Sequence, residues 1–512
     1  MSTEYNIPKT NNKRIAKNTL MLYIRMMFSM LVSLYTSRVV LNTLGVEDYG
    51  IYNVVGGVVA MMGILNNSMS GATSRFLTYA LGKGDAEDIK ITFSSALTIH
   101  IVIALLVFVT AETLGLWFLN NKLVLPESRM YAANVVFHLS VLSSMLGIIQ
   151  VPYNSCIVAH ERMSIYAYVE ILNVSLKLIV VYLLLCLNYD HLILYAFLLF
   201  MVSVLISFCY IQYCRRNFTE VRFRWVWDKK QLMPMLSFSG WDLYGNASVM
   251  LRQQGVSMIL NMFIGPIVNT ASGIAGTVNT VIMSFIHNVL MAIRPPIIKC
   301  YASGNFADMF SMMNWAAKIC TTLMLMLTIP LLSETYFVLK IWLSIVPDYV
   351  VDFCRILLIT SCFTSITSVI NIGIHATGRI HLISFVSGTI IWLAVPVIYL
   401  LLSNGYHPNY AYYCNGLVSA IVVWVNLFII KHNLPQFSIS VFLREGVFRS
   451  IIIGLFIAIS IYYIHSTMLI GWYRLLLTVF VSILEGLGLT YFFLLSKSER
   501  NTVCERIKKR LW

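Results

Sequence analysis

Eight ionisable side chains stand inside long apolar stretches of this 512-residue chain: Arg25, Arg38, Glu112, Glu170, Lys177, Asp242, Arg252 and Glu485. A charge in hydrocarbon is costly, so such residues face a protein interior or a hydrated cavity and act on ions, protons or charged cargo. Arginine stays ionised in any surroundings and offers a planar fork of donors that fits carboxylate or phosphate oxygens. Arg25, Arg252, Lys177 and Arg38 are therefore candidates for gripping an anion. Glu170 and Asp242, with the amide of Asn173, are candidates for coupling movement to an ion, H+ or Na+. Glu112 and Arg38 lie near the outer ends of their segments, where long side chains can snorkel to the interface. Glu485 is expected to pair within the C-terminal tail.

Spacing sorts these residues onto faces. Asn18, Arg25, Ser29, Ser33 and Thr36 share one side of a helix, and so do Tyr166, Glu170, Asn173 and Lys177. The second stripe puts Asn173 between an acid and an amine too distant to touch directly. A third segment carries two rows, Asp242–Asn246–Gln253 and Ser248–Arg252. Converging stripes predict a hydrated cavity. The competing reading is structural pairing of Arg25 or Arg252 with Asp242, and of Lys177 with Glu170.

The elements that must position these residues are membrane helices. Composition is 58% hydrophobic and 11% charged, more apolar surface than a soluble chain of this size could bury. Runs long enough to cross a bilayer fall at about 18–42, 50–74, 91–119, 130–151, 164–187, 190–212 and 235–263, then 267–292, 309–332, 350–376, 380–402, 409–431, 446–464 and 471–495. The expected fold is an all-α polytopic membrane protein of about 14 transmembrane helices. The first run is too long for a signal peptide and lacks a small-residue cleavage site.

The net charge of +14 reads as topology and not as nucleic-acid binding. With both termini on one side, that side collects 27 of the 36 Lys and Arg, the other only 5 (Lys122, Arg129, Lys340, Arg355 and Arg474), and 4 fall within spans. By the positive-inside rule the rich side is cytoplasmic. The ten cysteines are scattered, with no C-x-x-C pair, and read as small apolar residues without a metal role. There is no P-loop, H-E-x-x-H or G-x-S-x-G, and no segment outside the membrane reaches the length of a catalytic domain. The longest outer loop, about 333–349, holds Glu334 and Asp348 but no histidine.

An internal repeat organises the chain. Gly45 matches Gly265, Arg75 matches Arg294 and Gly84-Asp85 matches Gly304-Asn305, at offsets of 219 or 220. At an offset of 217, residues 159–162 match 376–379, and Tyr182 matches Tyr399. The predicted arrangement is two parallel-repeat six-helix bundles plus two C-terminal helices: residues 1–212, a basic cytoplasmic linker at 213–234, residues 235–431, and the tail at 432–512. In this register Arg252 lies seven residues beyond the counterpart of Arg25, which places the two on the same face of equivalent helices, roughly 10 Å apart in depth. Arg25 is the expected inner rung and Arg252 the outer.

Ser37-Arg38, Leu44-Gly45, Tyr49-Gly50 and Tyr52, together with the repeat, resemble the opening of bacterial polysaccharide and O-antigen repeat-unit exporters. These belong to the multidrug/oligosaccharidyl-lipid/polysaccharide (MOP) superfamily, and the likeness runs over the whole chain. The resemblance implies a flippase, not an enzyme, without a cofactor beyond a coupling ion. Its cargo would be an undecaprenyl-pyrophosphate-linked oligosaccharide, moved between leaflets of the bacterial cytoplasmic membrane by alternating access, with other polysaccharide-assembly membrane proteins as partners. A peptidoglycan lipid II flippase, a multidrug/cation antiporter of the same superfamily, and a membrane-embedded polymerase or glycosyltransferase are the rival readings.

Overall fold

Apolar segments of this length close their backbone hydrogen bonds away from water by forming helices. The computed structural model describes residues 18–494 apart from 33–34, 37–38, 41–42, 45–47, 49–50, 53–54, 56–62, 122–125, 187–188, 222–228, 265 and 344–345. Among the described residues there is no strand. The helices are α1 (Asn18–Val32), α2 (Gly63–Lys83), α3 (Ala86–Thr110, continued through a π-helical turn Ala111–Gly115 into Leu116–Asn121), α4 (Met130–Ala159), α5 (Met163–Cys186), α6 (His191–Asn217) and α7 (Lys229–Ile264). They continue as α8 (Pro266–Ala302), α9 (Phe306–Leu343), α10 (Val350–Thr377), α11 (Ile383–Ser403), α12 (Asn409–Asn433), α13 (Ile439–Thr467) and α14 (Trp472–Phe493). Their order is the one expected from the apolar runs.

Among the described residues, 11 helical segments are long and apolar enough to cross a membrane. The exceptions are α1, α2 and α7. The reason is plainest in α7, which carries Asp242, Asn246, Arg252, Gln253 and Gln254.

Several helices overrun the apolar segments that announced them. α2 continues to Lys83, α8 to Ala302 and α9 to Leu343. Arg75, Arg294 and Lys299, beyond the ends of the runs at 50–74 and 267–292, therefore lie on helices. The outer loop expected at 333–349 is likewise helical up to Leu343, and Glu334 belongs to α9. Hydropathy marks only the part of a helix within hydrocarbon. A 38-residue helix such as α9 spans about 57 Å against a core of about 30 Å.

The chain divides into two compact units. Unit 1 comprises Met1–Asn246 and Ile298–Gly304, and unit 2 comprises Ala247–Ile297 and Asn305–Trp512. The division falls within α7 and near the end of α8, and the tail helices α13 and α14 belong to unit 2. In unit 1, Phe93, Leu97, Tyr153, Val181 and Tyr210 from α3, α4, α5 and α6 make one core, with Phe137 and Leu119 in a second. In unit 2, Phe353 stacks on Tyr412 at 4.1 Å within a core that includes Leu260, Ala275 and Ile398.

The repeat reappears as backbone conformation. Gly84 and Gly304 both take left-handed φ values, 78° and 75°. Each is followed by a polar cap: Asp85 accepts from the N–H groups of Glu87 and Asp88, and Asn305 accepts from that of Asp308. The pair at the other offset behaves alike, with φ of 59° at Glu161 and 76° at Gly378. Glycine takes this conformation without penalty, whereas a glutamate does not. Contacts hold Glu161 there. Its carbonyl accepts from Asn18 Nδ2 at 2.9 Å, and its buried carboxylate pairs with Lys299 Nζ at 2.9 Å.

The tail is fixed to unit 2 by charge and close packing. Arg474 of α14 and Glu334 of α9 form a two-point ion pair, Nε to Oε1 at 2.7 Å and Nη2 to Oε2 at 2.8 Å, with both side chains buried. A Cβ at Gly486 would run into the Met326 side chain, which would have to shift for any larger residue to keep this approach of α14 to α9. Glu485 accepts from Ser460 Oγ at 2.7 Å, a pairing within the tail as the sequence predicts.

Candidate functional site

In unit 2 the candidate site is built around Arg252. α7 presents a glycine, Gly255, to Val395 of α11, where a Cβ would meet a methyl at 3.1 Å. That close approach sets α7 against the bundle, and Arg252, one turn earlier, reaches Asn415 Oδ1 of α12 at 3.5 Å. Among the described residues this neutral amide is its hydrogen-bond partner, and no carboxylate pairs with it. Ser248, one turn before, is buried on the same side. The expected pairing of Arg252 with Asp242 does not occur.

In unit 1 the candidate residues gather around Arg25. The Arg25 guanidinium lies over the Tyr166 ring of α5 at 5.1 Å, a cation–π arrangement. Glu170, one turn further along α5, and the buried Tyr210 of α6 are within electrostatic reach of Tyr166 and Arg25. Arg25, Tyr166, Glu170 and Tyr210 are thus one neighbourhood. Lys177 is exposed, and no hydrogen bond or ion pair among the described residues joins it to Asn173 or Glu170. The expected Glu170–Asn173–Lys177 bridge is absent among the described residues; Glu170 instead faces Tyr166 and Tyr210, and Lys177 stands exposed.

Asp242 accepts from Asn246 Nδ2 at 3.0 Å, the i to i+4 contact that the stripe implied. It also lies against α2 at Gly71, where a Cβ would stand 3.6 Å from its Oδ2. Arg38 lies outside the described residues, as do Ser37, Gly45, Tyr49 and Gly50. Leu44 and Tyr52 are packing residues: Leu44 is buried, and the Tyr52 ring meets Tyr195 edge to face at 5.0 Å.

Sequence spacing missed three charged groups. Arg129, before α4, is clamped by two aspartates. Its Nε donates to Asp48 at 2.8 Å, its Nη1 donates to Asp190 at 2.6 Å, and its Nη2 contacts both acids. Asp190 also caps α6 by accepting from the N–H groups of Leu192 and Ile193. Burial alone would raise its pKa, but Arg129 and these N–H groups outweigh it and hold the carboxyl below the ordinary aspartate value. Glu112, within the π-helical turn of α3, pairs with His138 of α4 at 2.9 Å and does not simply snorkel. Where α4 and α6 end, His160 Nε2 and Glu220 Oε1 are 2.5 Å apart. Burial would lift Glu220 too, yet the imidazole and the residue's own backbone N–H keep it lowered. Each of these pairs joins residues at least 26 positions apart, beyond the reach of helical periodicity.

This arrangement of helices has solved counterparts. A MATE transporter crystallised in a bent conformation aligns over 83% of this chain and 96% of its own, with TM-score 0.73 and 12% identity. An outward-facing multidrug resistance MATE family transporter of the MOP superfamily aligns over 83% and 97%, with TM-score 0.67 and 14% identity. A MOP superfamily transporter from Pyrococcus furiosus, described as having a binding pocket of reversed polarity, aligns over 84% and 96%, with TM-score 0.68 and 13% identity. The fold is therefore that of the MATE transporters of this superfamily.

Residues 15–299 match the polysaccharide biosynthesis protein family, and the chain belongs to that family. The fold is one that solved transporters share. No curated protein matches the chain.

Proposed function

We propose that this protein is a flippase for lipid-linked oligosaccharides. It moves undecaprenyl-pyrophosphate-linked repeat units from the inner to the outer leaflet of the bacterial cytoplasmic membrane during surface polysaccharide synthesis, by alternating access. Both termini are cytoplasmic in this reading. The observation that carries it is Arg252: a half-buried arginine on α7 whose hydrogen-bond partner among the described residues is a neutral amide. Its charge is left for an anionic head group, and pyrophosphate oxygens match the guanidinium fork. Arg25, positioned over the Tyr166 ring, supplies a second guanidinium to the route. Lys177 and Arg38 are further basic contacts along the route.

A multidrug/cation antiporter with this fold is the rival that the MATE relatives bring forward. A cationic cargo calls for a site ruled by unpaired acid, and a half-buried arginine without a carboxylate opposes it. The family described as polysaccharide biosynthesis proteins favours the glycan reading further. Glu170 or Asp242 would couple the movement to H+ or Na+, and other membrane proteins of polysaccharide assembly would receive the product.

Deletion of the gene followed by analysis of lipid-linked sugars tests the proposal. Repeat units should accumulate on the cytoplasmic face. Normal surface glycan, or polymerised but unexported repeats, would overturn it. Replacing Asp242 with Asn should abolish gradient dependence if that residue is the coupling acid; unchanged dependence assigns the role elsewhere.

A further inference from the structure

We propose a zinc site where α4 and α6 of unit 1 end. Cys156 and His160 stand at i and i+4 on α4, the spacing that puts two ligands on one helix face. Glu220, three residues past the end of α6, brings a carboxylate to the same place. The thiol, imidazole and carboxylate donor atoms all lie within 4.8 Å of one another. Cys156 is only 2% exposed, and its sulfur has no hydrogen-bond partner among the described residues. A second thiol, Cys214 of α6, is within electrostatic reach of both Cys156 and Glu220, and its sulfur sits 3.4 Å from the Tyr153 carbonyl.

Thiolate sulfur, imidazole nitrogen and carboxylate oxygen are the donors that a tetrahedral zinc ion takes, with Cys214 or water in the fourth position. The hydrogen bond between His160 and Glu220 keeps two of the ligands together without metal. Binding replaces that proton bridge and releases the thiol proton of Cys156 to solvent. The nearby cation Arg162 is drawn away from the cluster. It lies over the Phe218 ring at 5.2 Å, and its Nη1 donates to Tyr213 at 2.8 Å. Phe218 in turn stacks on His160 at 4.2 Å and fixes the imidazole plane. A bound ion would staple the end of α4 to the segment after α6, independently of what the protein transports.

The test uses the full chain purified in detergent without chelator from zinc-supplemented cells, with metal measured by mass spectrometry. Wild type should carry about one zinc per chain, retained in Cys209→Ser and lost in Cys156→Ser and His160→Gln. Absence of zinc from wild type, or equal zinc in wild type and Cys156→Ser, overturns the site. Because the variants could fail to fold, cobalt titration of the wild-type protein provides an independent reading. A thiolate-to-cobalt charge-transfer band should appear and be displaced by zinc, and its absence overturns the proposal.

Discussion

Arg474 and Arg252 belong to the same unit, the first buried and the second half-buried, yet they are held in opposite ways. Arg474 meets the two oxygens of Glu334 at 2.7 and 2.8 Å. Arg252 meets a neutral amide at 3.5 Å. A buried arginine matched by a carboxylate has no charge left to offer, whereas one held by an amide keeps its field. The first is a fastener; the second, in the proposed flippase, is a receptor for an anion. Unit 1 has a fastener of the first kind in Arg129, gripped by Asp48 and Asp190.

The contrast breaks most directly at the fastener. Glu334→Gln leaves a buried guanidinium without its counter-charge and should remove about 3–5 kcal/mol of stability, read as a large fall in the melting temperature of detergent-purified protein. Replacing both partners with leucine should recover most of that loss, since an apolar pair leaves no charge buried. At the receptor the effect should appear in transport. Arg252→Ala should lose about 2–3 kcal/mol of head-group binding, roughly a hundredfold in flipping, while melting near wild type. Arg25→Ala should behave likewise, and normal surface glycan in both variants would refute the two-arginine pathway.

Smaller effects sharpen the comparison at the surface. Asp190→Asn keeps an oxygen that can cap α6 but removes one charge of the Arg129 clamp, and should cost about 1 kcal/mol. Because the folded carboxyl titrates below its ordinary value, its contribution is complete at neutral pH. It fades as pH falls through that lowered value, and the Asn variant should lack this part of the acid transition in melting curves. Gly304→Ala should cost about 1 kcal/mol, the penalty of a left-handed φ for a residue with a Cβ, with transport unchanged.

Much of the architecture was legible because it depends on local composition. Fourteen apolar runs announce fourteen helices, and loop residues at offsets near 220 point to positions that share left-handed backbone. The Glu485 pairing within the tail followed from its place in the sequence. The pairings Arg474–Glu334, Arg129–Asp190 and His160–Glu220 were not legible. Each joins residues at least 60 positions apart, and periodicity places a side chain on a face without saying which distant face it meets. Hydropathy also placed Glu334 in a loop, since an acid neutralised from another helix looks like a helix end. For the candidate site, the stripes gave Arg25 and Arg252 but not the Tyr166 ring or the Asn415 amide that hold them.

The Arg474–Glu334 pair has a consequence for how the protein is made. Glu334 enters the membrane long before the ribosome reaches residue 474. Until then its carboxyl lacks the guanidinium that will match it. Arrival of α14 closes the ion pair. The last helix made thus completes a contact begun about two-thirds of the way along the chain, and a nascent chain stalled before the tail would leave an unmatched acid on α9 where the finished protein presents a salt bridge.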